Sequence, residues 1–292
     1  MNKNILGHLG ALLCVCIWEL SFGLSDGLLG YFSSLEITVF RFAVAFLVLN
    51  FAYFPRLHLK KKLHELWFLL AGICGISLFY FLEELAYIYA KDALVVIILS
   101  AAPFFTAILS RLFNHSDGLS SYFFIGLGFA LTGITLIGMF GTGTLSFSLY
   151  GALYALGASV CWGAYAVVAK RIASMGHHVV QSTRRIMFWG LIFMIPLCLT
   201  RNFDIAHYER LLDAQVLINM LALALFTTAA CYVVWTYSLR NLGAVRTSVY
   251  IYAMPVVSVV VSAVGGRGAV NAEILIGVIL TIVGLTLSVK RR

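Results

Sequence analysis

The chain has 292 residues, 62% of them hydrophobic and only 11% charged, with a mean hydropathy of +0.98. Soluble domains carry about 25% charged residues, so an ordinary water-soluble globule is excluded. The net charge of +8 would suit nucleic acid, but the cations are distributed as a membrane topology requires.

Ten apolar stretches, at about 5–29, 36–55, 66–89, 93–113, 119–141, 147–169, 180–200, 215–239, 243–264 and 270–289, are each long enough for a helix across a bilayer. A β-barrel needs short segments of alternating polarity, which are absent. The expectation is an all-α integral membrane protein of ten transmembrane helices. The first stretch is too long, and too closely followed by others, for a cleaved signal peptide. With the N-terminus inside, Lys3, Arg56, Lys60, Lys61, Lys62, Arg111, Lys170, Arg171, Arg240, Arg246, Lys290, Arg291 and Arg292 fall on the inner side, and Lys91, Arg201, Arg210 and Arg267 on the outer. That bias predicts both termini in the cytoplasm of a multi-pass protein of the cytoplasmic (inner) cell membrane. It also reads the Arg56–Lys62 cluster as topology and lipid contact, with no nucleic-acid partner.

In chain order, the first helix carries Trp18, Glu19 and, two turns further, Asp26. A carboxylate in a bilayer core costs a few kcal/mol, on the order of 3 on insertion scales, so its default reading is functional. Glu19 is expected to line a cavity; the alternative is a neutral acid bonded to a neighbouring helix. Asp26 either joins it or is a solvated helix end. Arg41 lies one to two turns into the second helix. The third carries Tyr80, Glu83 and Glu84, and two close carboxylates would split their protonation, a basis for proton coupling. The alternative has one acid paired with Arg41 and the other near the outer surface.

Pro103 in the fourth helix and Pro255 in the ninth each remove a backbone hydrogen bond and predict kinks suited to gating, or to plain packing. Gly126 and Gly133 in the fifth helix and Gly277 and Gly284 in the tenth predict close helix contact. In the seventh helix Arg184 and Arg185 stand together. One of them is expected to snorkel to the headgroups, while Arg185 takes a substrate, gating or structural role like that of Arg41. Trp18, Trp162, Trp235, Tyr80, Tyr232, Tyr250 and Tyr252 would form an aromatic lining attractive to cations. Trp67 and Trp189 are assigned to packing or lipid. The six cysteines have no metal-ligand spacing and read as packing residues. No Walker, HExxH, GxSxG or dinucleotide signature occurs, so no cofactor, metal or catalytic residue is expected. An enzyme would want a cluster at the membrane surface, for which His177-His178 is the nearest candidate.

The chain repeats itself. Trp18 and Trp162, and Arg41 and Arg185, are 144 residues apart; Tyr80 and Tyr232, and Pro103 and Pro255, are 152 apart. The units span 5–141 and 147–289, and five helices each make the repeats inverted in the membrane. Where the repeats disagree, the acids stand in the first: Glu19 answers Gly163, Asp26 answers Lys170, and Glu83-Glu84 answer Trp235-Thr236.

These residues carry a family resemblance. Ile17-Trp18, Ser34-x-Glu36-(x)4-Arg41-Phe42, Tyr80-Phe81-Leu82-Glu83 with Ala86, and Ala102-Pro103-Phe104-Phe105-Thr106-Ala107 mark the first unit. Cys161-Trp162-Gly163, Gln181-Ser182-Thr183-Arg184-Arg185, Trp235 and Leu242 through Tyr252 mark the second. Together they resemble the EamA type of the drug/metabolite transporter (DMT) superfamily over essentially the whole chain. The resemblance implies a ten-helix exporter or permease of small metabolites with a central cavity between repeats. It also implies that the fifth and tenth helices, which often join protomers in relatives, offer a homodimer contact. Departures stand at Glu19, Asp26, Glu84 and within Gly265-Gly266-Arg267-Gly268. The acids favour amines, amino acids or related cationic and zwitterionic compounds as substrate, with protons as coupling ion and alternating access as mechanism.

Overall fold

The computed structural model describes residues 2–55, 57–59, 61–90, 92–113, 121–141, 148–200, 208–265 and 271–289. Several of the charges counted for topology, the stretch 201–207 and Gly266-Arg267-Gly268 lie outside them. Among the described residues ten helices are long and apolar enough to cross a membrane: α1 (Lys3–Leu29), α2 (Ser34–Ala52), α3 (Lys62–Tyr89), α4 (Leu94–Phe113), α5 (Ser121–Gly141), α6 (Leu149–Ala173), α7 (Val179–Leu199), α8 (Ala214–Leu242), α9 (Ala244–Val264) and α10 (Ala272–Val289). Among the described residues there is no strand. Ten crossings bring the start of α1 and the end of α10 to one face, the terminal face; the other is the far face.

Local chemistry sets the helix starts. In α2 the Ser33 side chain accepts from Glu36 N while Ser33 N donates to the Glu36 carboxylate at 2.7 Å, satisfying two otherwise orphan donors reciprocally. Asp213 accepts from Gln215 N and Val216 N ahead of α8, and Asn271 accepts from Ile274 N ahead of α10. Between α8 and α9 the chain turns on Gly243 alone, at φ +93°, a conformation a side chain would strain.

The repeats interlock rather than stand side by side. α6 runs through the middle against α3, α4, α7, α8 and α9, and α1 packs on α8 and α9. The largest buried cluster draws on both halves, including Ala11, Phe42, Phe68, Trp162, Tyr165, Met187, Tyr232 and Trp235. The outside stays apolar, with Leu9, Leu13, Phe51, Ile195, Phe226 and Val260 exposed, as a lipid-facing surface requires.

Among the described residues, α1 is interrupted at Ser21 with no counterpart in α6, and four further spans depart from regular α-helix in matched pairs. α3 and α8 each contain a π-helical stretch, Ile73–Ser77 and Leu223–Ala230. α4 stops at Leu99 and restarts at Ala102, and α9 passes through a 3-10 stretch, Val249–Tyr252, before Ala253. Pro103 and Pro255 sit, buried, in the first turn of the restarted segments, where a missing N–H costs nothing. Pro103 thus follows a helix break, whereas Pro255 follows a gapless passage from 3-10 to α-helix. Next to them Thr106 Oγ1 donates to Ser248 Oγ at 3.2 Å, tying the broken span of one repeat to that of the other.

The glycines of α5 and α10 face each other within one chain. A side chain on Gly133 would collide with the Gly277 carbonyl, and one on Gly126 with the Gly284 carbonyl and Ser288. The close contact expected of these glycines is thus used internally, and their small-residue faces are covered by each other.

Candidate functional site

At the level where the π-helical stretches lie, aromatic side chains from five helices meet. Trp18 of α1 is 5.6 Å from Trp162 of α6 and 5.0 Å from Trp235 of α8, centre to centre. Phe79 packs on Trp162 at 4.9 Å, and Phe42 touches both Tyr80 and Tyr232 at 5.4 Å. Tilted and edge-on geometries suit the ring quadrupoles. The rings contact one another, so the centre is a packed aromatic layer.

Two of these rings have a definite structural task. A π turn is wider than an α turn, and where it rejoins the helix a carbonyl is left to find another donor. Trp18 Nε1 donates to Thr227 O at 2.9 Å, within the π stretch of α8. Tyr232 OH donates to Gly75 O at 3.1 Å, within that of α3, and lies 3.2 Å from Tyr80 OH. Each repeat thus caps the other's π stretch, which lipid could not do. Trp162, the repeat partner of Trp18, has no such acceptor: its Nε1, like that of Trp235, is buried without a hydrogen-bond partner. Tyr252 falls outside this layer, in a separate cluster with Phe123, Ala130 and Ile134 of α5. Tyr250 also turns away, its hydroxyl 2.7 Å from His8 Nδ1.

Charged groups border the layer on its far side. The Arg41 guanidinium lies over the Tyr80 ring at 4.5 Å and over Phe42 at 5.5 Å, with Glu83 one turn beyond Tyr80 and within Coulombic reach of Arg41. Glu19, next to Trp18, has Ser258 of α9 as its polar neighbour. Glu84, the residue after Glu83, lies within Coulombic reach of Cys198 of α7. Asp26 is exposed on the far segment of α1. Exposure grades with depth. Trp18, Glu19, Arg41, Tyr80 and Glu83 are half-buried, whereas Tyr165, Tyr232, Trp235, Thr247 and Ser248, deeper toward the terminal face, are inaccessible.

The terminal face is closed by polar contacts that single-residue reading missed. Arg184 is buried, donating to Tyr53 O at 2.8 Å and Pro55 O at 2.9 Å, while Gln181 Nε2 reaches Pro55 O at 3.2 Å. The expectation that one of Arg184 and Arg185 snorkels to headgroups is corrected, because both are engaged with protein. Arg185 Nε donates to Glu65 Oε1 at 2.6 Å, and Trp189 Nε1 donates to the same oxygen, so Trp189 is more than a packing or lipid-facing residue. Tyr53 stacks on His178 with ring centres 4.2 Å apart. Arg185 therefore belongs to a clamp between α2–α3 and α7, apart from the aromatic layer. Glu65 carried one faint signal, a lone acid following a basic run at the start of α3. A cavity of about 310 Å3 also opens at this face, lined by Asn4, His8, Asn241, Leu242, Arg246 and Val289 and by none of the predicted site residues. Among the described residues no His/Cys/Asp/Glu group could hold a metal, and the six cysteines are free.

Ten apolar crossings, matched irregularities in the two halves and a polar-edged centre define a polytopic membrane protein of the two-repeat transporter class. The EamA-like transporter family model matches residues 5–139 and again 149–290. The chain belongs to that family. Relatives of similar length include the uncharacterized transporters YvbV and YyaM of Bacillus subtilis, 24% and 26% identical over 94% and 91% of this chain and 88% and 87% of theirs. An uncharacterized transporter of Archaeoglobus fulgidus is 24% identical over 96% of this chain and 97% of its own. A crystal structure of a protein 19% identical superposes with a TM-score of 0.74 over 98% of this chain and 95% of that one, a likeness of fold. The chain is a multi-pass membrane transporter, in contact with the lipid bilayer and acting on a small molecule.

Proposed function

We propose that the chain is a secondary transporter for small cationic or zwitterionic metabolites, amines and amino acids among them, working by alternating access in the cytoplasmic membrane. The carrying observation is the placement of Glu19 and Glu83, with Arg41, at the accessible edge of a central layer that both repeats build. Two carboxylates against one guanidinium leave an acid to receive a cation or a proton. The terminal face, cytoplasmic by the distribution of Lys and Arg, is bridged by Arg184, Arg185 and Glu65, contacts that would have to part for passage between α7 and α2–α3 on that side. Absence of a nucleotide-binding signature in the sequence leaves a gradient as the energy source, and protons suit the acids. A homodimer would have to form through faces of α5 and α10 other than their glycine stripes.

The test is counterflow in proteoliposomes, with amines and amino acids at two pH values, for wild type and Glu19→Gln. Wild type is expected to show counterflow that changes with pH; the variant should lose about tenfold or more of it and most of the pH response. Equal transport and equal pH dependence in the variant would remove Glu19 from the mechanism. Flux without counterflow would point to a channel.

A further inference from the structure

The acids at the edge of the layer suggest where a cation binds, but the layer itself holds the opposite kind of group. Trp162 is 5% exposed and Trp235 is fully buried, and neither indole Nε1 has a hydrogen-bond partner. Arg41 Nε is a third buried donor without one. All three atoms are donors only. A buried hydroxyl can rotate toward a neighbouring carbonyl; an indole N–H cannot, and leaving it unpaired in an apolar interior is costly. Trp18 shows how this chain treats an indole when only structure is at stake, because its N–H is aimed at Thr227 O. Its repeat partner Trp162 has the same ring in the equivalent helix and no acceptor. The two unpaired indoles are 6.0 Å apart, centre to centre, and both touch Trp18, the residue next to Glu19.

We infer that Trp162 and Trp235 form an oxyanion subsite, so that the transported compound is a compact zwitterion with its carboxylate at the two indoles and its ammonium at Glu19. This rests on the transporter reading above and narrows its substrate class: a simple amine, which brings no acceptor, is a poor ligand. Arg41 stands on the acidic side beside Glu83, where it offsets one of the two carboxylates and leaves Glu19 for the ammonium. The two indole N–H groups are reached when the ring contacts part during the access cycle. The aromatic layer thus selects through hydrogen bonding to an anion, whereas cation attraction to ring faces alone would favour the amine.

The experiment compares three matched series on the full-length protein in detergent and in proteoliposomes: the proteinogenic α-amino acids, the amines left by removing each carboxylate, and the acids left by removing each amino group. Thermal stabilisation and counterflow are both read, for wild type, Trp162→Phe, Trp235→Phe and Trp18→Phe. At least one amino acid should stabilise the protein about tenfold more tightly than its amine and its acid. Trp162→Phe and Trp235→Phe should each weaken that amino acid by about tenfold while leaving the weak amine unchanged. Ligand-free, these two variants should lose less thermal stability than Trp18→Phe, which forfeits a real bond to Thr227 O. Binding of the amines as tight as that of the amino acids, indifference of amino-acid affinity to both indole variants, or stabilisation by none of the amino acids each overturns the inference. Failure of a stabilising compound to show counterflow sinks the transporter reading instead, so the two can fail separately.

Discussion

At the terminal face, α7 is bound to α2 and α3 by a buried arginine on two backbone carbonyls, an ion pair and a stacked ring pair. At the far face, the contacts between repeats are apolar, with Leu28, Phe32 and Ile37 of the first half against Val216, Met220 and Leu223 of the second. The Arg210 guanidinium also donates to Tyr31 O there. Three charged side chains of the far half, Glu19, Arg41 and Glu83, border the central aromatic layer instead. The two ends thus differ in what their charges do: at the terminal face they hold helices together, and in the far half Glu19, Arg41 and Glu83 border the aromatic layer, where the proposed function places the ligand. Under the proposed alternating access both faces open in turn, so the contacts of the terminal face would have to break in each cycle.

Arg184→Ala attacks this contrast most strongly. It removes two charge-assisted bonds to Tyr53 and Pro55 carbonyls and leaves a buried gap, and is expected to cost about 3 kcal/mol in reversible unfolding. A loss below about 1 kcal/mol would mean that the clamp is not what holds the terminal face. Glu65→Gln is expected to be milder. Arg185 is 39% exposed and Glu65 26%, so solvent screens the pair. A destabilisation of about 1 kcal/mol or less at low salt should shrink toward nothing near 1 M salt. Persistence of the full effect at high salt would transfer the role to the Trp189 bond. Smallest is Asp26→Asn, which should change stability by less than about 0.5 kcal/mol and leave counterflow intact, because its side chain is exposed. Strong loss of transport would extend the far-side path to the end of α1.

Much of the architecture was legible in the residues because the bilayer imposes a single, length-based rule on every crossing. Each predicted apolar stretch matches a helix to within a few residues, and the offsets joining Trp18 to Trp162 and Pro103 to Pro255 mark spans that are structurally paired. The π stretches were not legible. Ile73–Ser77 and Leu223–Ala230 lie inside continuous apolar runs, where one extra residue per turn leaves no mark on hydropathy. Nor was the pairing of Arg185 with Glu65, 120 positions apart. Nor could chain adjacency show what surrounds each acid of the Glu83-Glu84 pair, side chains about 100° apart on the helix: Glu83 lies within Coulombic reach of Arg41 and Glu84 within that of Cys198.

Apolar length was enough for the ten crossings and the set of polar groups confined within them, while the family was carried by a resemblance in residue motifs such as Ile17-Trp18 and Ala102-Pro103. Crossings depend on solvation free energy summed along the chain, which composition records. Tertiary structure alone decided which of two equivalent tryptophans finds a carbonyl. Trp18 meets Thr227 O, while the corresponding acceptor in the other repeat, Gly75 O, is already taken by Tyr232 OH. Hydrogen bonds are short and directional, so a near-symmetric sequence settles into an asymmetric centre, and Trp162 is left with a buried donor.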